Sequence, residues 1–120
     1  MKTPAIAILA AALAATPATA ETYLCRSDRG AEVAVQAAGN RLAIDDGKLR
    51  TLCGRGGDGR CTRTDSGYAY AGPAGTIAFV PASPVFRAPP ALRVRAPGEA
   101  TTTNYFCRVA DARVARRFGR

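Results

Sequence analysis

The sequence predicts an all-β fold, a small closed antiparallel barrel of about eight strands stapled by disulfides. Beyond residue 20, short runs alternate apolar and polar residues, which is the period of a strand, and helical periodicity is hard to find. Gly, Pro, Asn or Asp residues separate these runs. Four cysteines also lie beyond residue 20, and a domain of about 100 residues has a core small enough to benefit from such staples.

Nine runs have strand character, and eight or nine strands are enough to close a barrel. In chain order they are Tyr23–Cys25, Glu32–Gln36, Arg41–Ile44, Lys48–Cys53, Arg60–Arg63, Tyr68–Tyr70, Thr76–Val80, Leu92–Val94 and Thr102–Val109. Gly39-Asn40 and Asp45-Asp46-Gly47 are turn signals between the early strands. The proline-bearing stretch 81–90 is predicted to be a long surface loop, because prolines remove the backbone donors that a central strand needs.

The amino terminus has the pattern of an export signal. Lys2 gives it a positive start, residues 5–15 form an apolar centre, and Ala18 and Ala20 are the small residues that signal peptidase requires. Cleavage is expected before Glu21. The apolar run is about half the roughly 20 residues that span a bilayer, so a soluble periplasmic or secreted protein without a transmembrane segment is expected. The predicted organisation is a signal peptide (1–20), a β-barrel domain (21–110) and a basic carboxy-terminal tail (111–120), either loose or a short helix.

The cysteines are expected to form two disulfides in an oxidising compartment. They lack the C-x-x-C spacing and the histidines typical of zinc sites, so neither a metal nor a cofactor is expected. Four cysteines allow three pairings. We favour Cys25–Cys107 with Cys53–Cys61, since the latter two bracket a glycine-rich loop, Gly54–Gly59, that closes easily.

The sequence predicts a binding protein and no enzyme. There is no histidine, so Ser-His and Cys-His pairs are absent, and the cysteines are expected to be oxidised. Asp45 and Asp46 are adjacent in a turn, where they serve better as turn formers than as a separated acid and base. The loop Gly54–Gly59 lacks the Lys-Ser/Thr ending of a phosphate loop and is interpreted as a stapled hairpin tip, although its amides and neighbouring arginines can also hold an anion.

One short string points to a partner. Ser66-Gly67-Tyr68-Ala69-Tyr70 reads Ser-Gly-x-x-Tyr where a turn enters a strand, and the mature chain begins with Tyr23-x-Cys25 and returns a cysteine at Cys107. Together these features resemble the periplasmic and membrane-bound inhibitors of c-type lysozyme, over about residues 22–108. The same string is also typical of a Ser-Gly turn that opens an alternating strand and needs no partner.

The resemblance implies an exported antiparallel barrel that inserts its Ser-Gly-x-x-Tyr loop into the lysozyme cleft. Ser66 would hydrogen-bond to the catalytic carboxylates, Gly67 would allow close backbone approach, and Tyr70 would hold the loop in shape. The family's second element is a lysine followed by a glycine and, two positions further on, an alanine. Here it is matched in part, with Arg87 in place of the lysine and Ala88 in place of the glycine.

A competing interpretation starts from charge. The chain has 17 Lys and Arg against nine Asp and Glu, a formal net charge of +8, which favours acidic partners. In this interpretation the residues that bind an anionic envelope surface are Arg93, Arg95, Arg113, Arg116, Arg117 and Arg120. Few aromatic residues interleave these arginines, which argues against a nucleic-acid reader that stacks bases, so no sequence-specific nucleic acid is expected.

Overall fold

The computed structural model describes residues 21–64, 66–81 and 89–119. It contains nine strands, β1 (Glu21–Ser27), β2 (Glu32–Ala38), β3 (Arg41–Asp45), β4 (Leu49–Cys53), β5 (Arg60–Arg63), β6 (Tyr68–Gly72), β7 (Gly75–Val80), β8 (Ala91–Arg95) and β9 (Thr103–Val109). A short helix, α1 (Ala112–Ala115), and a 3-10 turn (Arg116–Phe118) follow. The predicted all-β class is confirmed, with nine strands in place of about eight. The predicted signal peptide, Arg87 and Arg120 lie outside the described residues.

All nine strands form one antiparallel sheet in the order β4-β3-β2-β1-β9-β8-β7-β6-β5. The chain builds it as two meanders, β1–β4 and β5–β9, in each of which consecutive strands pair with each other. Pairing of β1 with β9 then unites the two meanders side by side. The two edge strands, β4 and β5, are brought together by the Cys53–Cys61 disulfide, so the sheet is a nearly closed barrel.

The turns between the early strands follow the sequence signals. Gly39, between β2 and β3, and Gly47, between β3 and β4, both have positive φ, a conformation that glycine adopts without a steric penalty. The Asp45 carboxylate accepts a hydrogen bond from the Gly47 amide at 3.0 Å. Asp45 therefore forms the turn, as expected.

Both disulfides have the pairing that we favoured from the sequence. Cys25 on β1 lies directly opposite Cys107 on β9, and their bridge joins residues 82 positions apart. Cys53 at the end of β4 is bonded to Cys61 on β5, across eight positions. The long bridge therefore fastens the two meanders to each other, and the short one fastens the two free edges.

The core lies inside the barrel and follows the alternation of the strands. The largest fully buried side chains are those of Tyr23, Tyr70, Phe79, Leu42, Leu52, Ile77, Leu92, Val35, Cys25 and Cys53. At its centre, the Tyr23 ring meets the Phe79 ring edge-on, with 5.1 Å between centroids. Tyr23 comes from one meander and Phe79 from the other, so this contact joins the two halves of the core.

A second, smaller apolar cluster lies on the outer surface. Phe118 is buried against Ala34 of β2 and Ala43 of β3, whose small side chains leave room for its ring. The helix α1 that brings it there begins at Asp111, whose carboxylate accepts hydrogen bonds from the amides of Arg113 and Val114. Of the two forms considered for the carboxy-terminal segment, the short helix is the one present.

Nowhere in residues 21–64, 66–81 and 89–119 is a helix long and apolar enough to cross a bilayer.

Loss of the long disulfide should cost more stability than loss of the short one. On the loop-entropy model, removing a bridge that spans 82 residues lowers the free energy of unfolding by about 4.5 kcal/mol, and one that spans eight by about 2.5 kcal/mol. Urea denaturation of the Cys25→Ala/Cys107→Ala and Cys53→Ala/Cys61→Ala variants measures both values. A larger loss from the second variant would contradict the assigned role of the long bridge.

Truncating Phe118 should detach the carboxy-terminal helix from the barrel. Phe118→Ala removes a buried aromatic ring, and we expect the free energy of unfolding to fall by about 3 kcal/mol, the lower end for such truncations. Val109→Ala is the control, because that side chain is exposed and its loss should change stability by no more than about 0.5 kcal/mol. Equal effects of the two substitutions would contradict the assigned packing.

Candidate partner-binding turn

Ser66 is exposed in the turn between β5 and β6. Thr64 and Gly67, on either side of it, exchange two backbone hydrogen bonds of 2.8 and 3.3 Å. The Thr64 hydroxyl adds further contacts: it accepts from the Gly67 amide at 2.9 Å, and its oxygen lies 3.3 Å from the Ser66 hydroxyl oxygen. The turn thus presents a hydroxyl to solvent on a backbone that its own neighbours hold in place.

Gly67 anchors this turn to the barrel wall. A Cβ at this position would lie 3.0 Å from the Phe79 carbonyl carbon and from the Val80 Cα, and closer still to the Phe79 oxygen. Only glycine allows the backbone to lie so near to β7. The close approach that the lysozyme-inhibitor resemblance assigns to Gly67 is, in this structure, an approach to its own sheet.

Tyr68 and Arg63 tie the base of the turn to another part of the barrel. The Tyr68 hydroxyl donates to the Gly39 carbonyl at 2.7 Å, and the Arg63 guanidinium donates to the same oxygen. The Arg63 guanidinium also lies over the Tyr68 ring, 4.3 Å from its centroid. Neither residue was among the predicted site residues, although cross-strand pairing of Arg63 with Tyr68 follows from a hairpin at this turn.

Tyr70 lies in the middle of β6, and its hydroxyl contacts a different loop. Its hydroxyl donates to the Asp58 carboxylate at 2.6 Å and accepts from the Ala74 amide at 3.2 Å. A Cβ at Gly59 would lie 2.6 Å from the Tyr70 ring, and a Cβ at Gly72 would lie 2.6 Å from the Tyr70 hydroxyl oxygen. Burial, followed by the hydrogen bond to Asp58, raises the pKa of Tyr70 above its ordinary value, which keeps the phenol protonated as a donor.

The residues that the sequence predicts for the partner-binding turn therefore lie in two different places. Ser66 and Gly67 lie together in the β5–β6 turn, whereas the hydrogen bonds of Tyr70 go to the glycine-rich loop and to Ala74. Thr64 and Tyr68 provide the bracing that the resemblance assigned to Tyr70. The remaining residue of the expected site, Arg87, lies outside the described residues.

The arginines of the competing interpretation form two groups. Arg93 and Arg95 are exposed on β8, and Arg113, Arg116 and Arg117 belong to the carboxy-terminal helix and 3-10 turn. Strands β9 and β1 lie between these groups and contribute two further exposed arginines, Arg108 and Arg26, which sequence analysis did not select. Their alternation along the strand was the signal that could have identified them.

Within the described part of the chain, no three Cys, Asp or Glu side chains come together as a metal-binding group. Comparison of the chain with protein-family models, curated proteins and solved structures gives no significant match. The geometry of the turn and the distribution of charge are therefore the basis for a functional proposal.

Adding a methyl group at Gly67 should disturb the turn. Because a Cβ there overlaps the Phe79 carbonyl, we expect Gly67→Ala to lower the free energy of unfolding by about 2 kcal/mol. The matched control is Gly119→Ala, since a Cβ at Gly119 has its nearest neighbour at 3.8 Å, and its effect should stay within about 0.5 kcal/mol. Thermal or urea unfolding measures the difference, and equal stabilities would show that β7 gives way to the new methyl group.

Proposed function

We propose that this protein is a periplasmic or secreted inhibitor of a c-type lysozyme, which inserts the Ser66 turn into the enzyme's cleft. The observation that carries the proposal is the exposed Ser66 hydroxyl on a turn fixed by Thr64 and by the close contact of Gly67 with β7. The Tyr-x-Cys strand bonded to Cys107 adds support, since both features belong to the resemblance.

The chemistry of such a cleft matches what the turn offers. A glycosidase cleft presents two carboxyl groups, and a hydroxyl can donate to one of them and accept from the other if it is protonated. A short side chain on a braced turn loses little conformational entropy on binding. Arg63, three residues before Ser66, adds positive charge near the base of the turn, which complements the cleft carboxylates.

Inhibition requires no catalytic group on this chain. Ser66 would act as a hydrogen-bonding plug, with no covalent step, and substrate would be excluded by occupancy of the cleft. The three parts that hold the plug in place, Thr64, Gly67 and Tyr68, would act as positioning residues.

Truncating the Ser66 hydroxyl should weaken inhibition without unfolding the protein. Ser66→Ala removes a hydrogen bond to a charged group, and we expect the inhibition constant for a c-type lysozyme to rise about 10- to 100-fold. Thr101→Ala is the matched control, because it deletes an exposed hydroxyl in a different loop and should leave inhibition unchanged. Cell-wall lysis assays with the oxidised mature chain measure this. Absence of inhibition by the unaltered protein at micromolar concentration would overturn the proposal.

A second candidate function is binding of an anionic envelope polymer through the arginines. The observation in its favour is that a single ion pair, Arg26 with Glu32, occurs among the residues that the structure describes, so most guanidinium groups there have no carboxylate partner. The dependence of binding affinity on ionic strength distinguishes the two functions. Binding by surface charge should weaken steeply from low to moderate ionic strength and survive Ser66→Ala, whereas cleft insertion should depend mainly on Ser66.

A further inference from the structure

The outer face of β1 and β9 carries an exposed aromatic ring among arginines. Phe106 on β9 is 69 % exposed, more than any other large apolar side chain among the described residues. In the sheet register it lies opposite Arg26 on β1 and Ala91 on β8. Arg108 lies two residues further along β9, on the same face. We call this surface, made of Leu24, Arg26, Phe106 and Arg108, the β1–β9 face.

A shallow groove of about 330 Å³ runs along this face. Its lining residues are Leu24, Arg26, Glu32, Phe106, Cys107 and Arg108. The groove is therefore lined by the apolar side chains of Leu24 and Phe106, by the guanidinium groups of Arg26 and Arg108 and by the Glu32 carboxylate. Such a combination matches a ligand that is apolar in one part and anionic in another.

The charge of the β1–β9 face is positive despite the presence of Glu32. Arg26 forms an ion pair with Glu32, and its hydrogen bond and charge hold the pKa of that carboxyl below its ordinary value. The charges of Arg108 and of Arg117, on the carboxy-terminal turn, lower the Glu32 pKa further.

We propose that the β1–β9 face docks on a bilayer leaflet that carries anionic lipids. Phe106 would enter the interface between headgroups and acyl chains, and Arg26 and Arg108 would contact the phosphates, with Arg93 on the neighbouring strand adding charge. A hydrophilic polyanion could use the arginines but would leave Phe106 in water. A bilayer is the occupant that uses both the charge and the exposed ring.

This proposal does not rest on lysozyme inhibition. The Ser66 turn joins β5 and β6, and two strands, β7 and β8, separate β6 from β9 in the sheet. A chain docked through the β1–β9 face can therefore still present the turn to a partner. Failure of either proposal leaves the other standing.

A tryptophan at position 106 tests insertion directly. The natural chain contains no tryptophan, so Phe106→Trp gives a single fluorescent reporter at the proposed contact. We expect its emission to shift to the blue when phosphatidylglycerol-containing vesicles are added, and to stay unchanged with pure phosphatidylcholine vesicles. Ala71→Trp is the matched control, because it places the reporter at an exposed position on β6, where the emission should remain that of a solvated indole.

A matched pair of charge reversals tests the arginines. Arg108→Glu changes the charge on the proposed face, and we expect vesicle partitioning in a co-sedimentation assay to fall roughly 10- to 30-fold. Arg55→Glu makes the same change in net charge on the glycine-rich loop and should reduce partitioning much less. Equal losses from the two reversals would indicate attraction by net charge alone and would overturn the proposal.

Two further outcomes would also overturn it. One is an unshifted Phe106→Trp spectrum in the presence of vesicles that bind the protein. The other concerns soluble heparin, a polyanion without an apolar part. If heparin binds as tightly as anionic vesicles, if Arg108→Glu abolishes this binding, and if the fluorescence of the tryptophan at position 106 does not change on binding, the face binds a polyanion.

Discussion

Pairing of β1 with β9 determines the rest of this structure. Each meander taken alone would leave an apolar face and two unpaired edges, and only their union encloses a core. The pairing places Cys25 opposite Cys107, so a disulfide fixes a contact between residues 82 positions apart. It also brings Tyr23 of the first meander against Phe79 of the second. Because the unfolded chain rarely makes contacts at such separation, the long bridge removes much of the entropic cost of forming them.

The β5–β6 hairpin, which carries the candidate turn, is tied to strands of the first meander. The β5–β6 hairpin lies at the end of the sheet order, where it would be free to move without ties to the rest of the barrel. Cys61 bonds it to β4, and Tyr68 and Arg63 bond it to the β2–β3 turn at Gly39. The exposed arginines of β1, β8 and β9 lie on strands other than the two that the turn joins.

The local pattern of apolar, polar and turn residues was sufficient to predict the strands and the turns between the early strands. Alternation over short runs located all nine strands, because strand formation at a half-buried surface depends on a period of two that neighbours in sequence can supply. The Gly39 and Gly47 turns followed from residues that tolerate positive φ. The spacing of Cys53 and Cys61 indicated a small loop, and the two remaining cysteines then had each other as partners.

The sequence by itself determined the strands and the turns and placed Ser66 at one of these turns, whereas it favoured the observed disulfide pairing over two others without excluding them. The tertiary structure alone decided which side chains meet across strands distant in sequence. Tyr70 bonds Asp58 in place of bracing Ser66, Phe118 packs on Ala34 and Ala43, and Arg26 and Arg108 flank Phe106. The physical reason is that alternation assigns a residue to a face of the sheet, whereas its neighbour on that face depends on strand order and register, which are set by packing of the whole barrel.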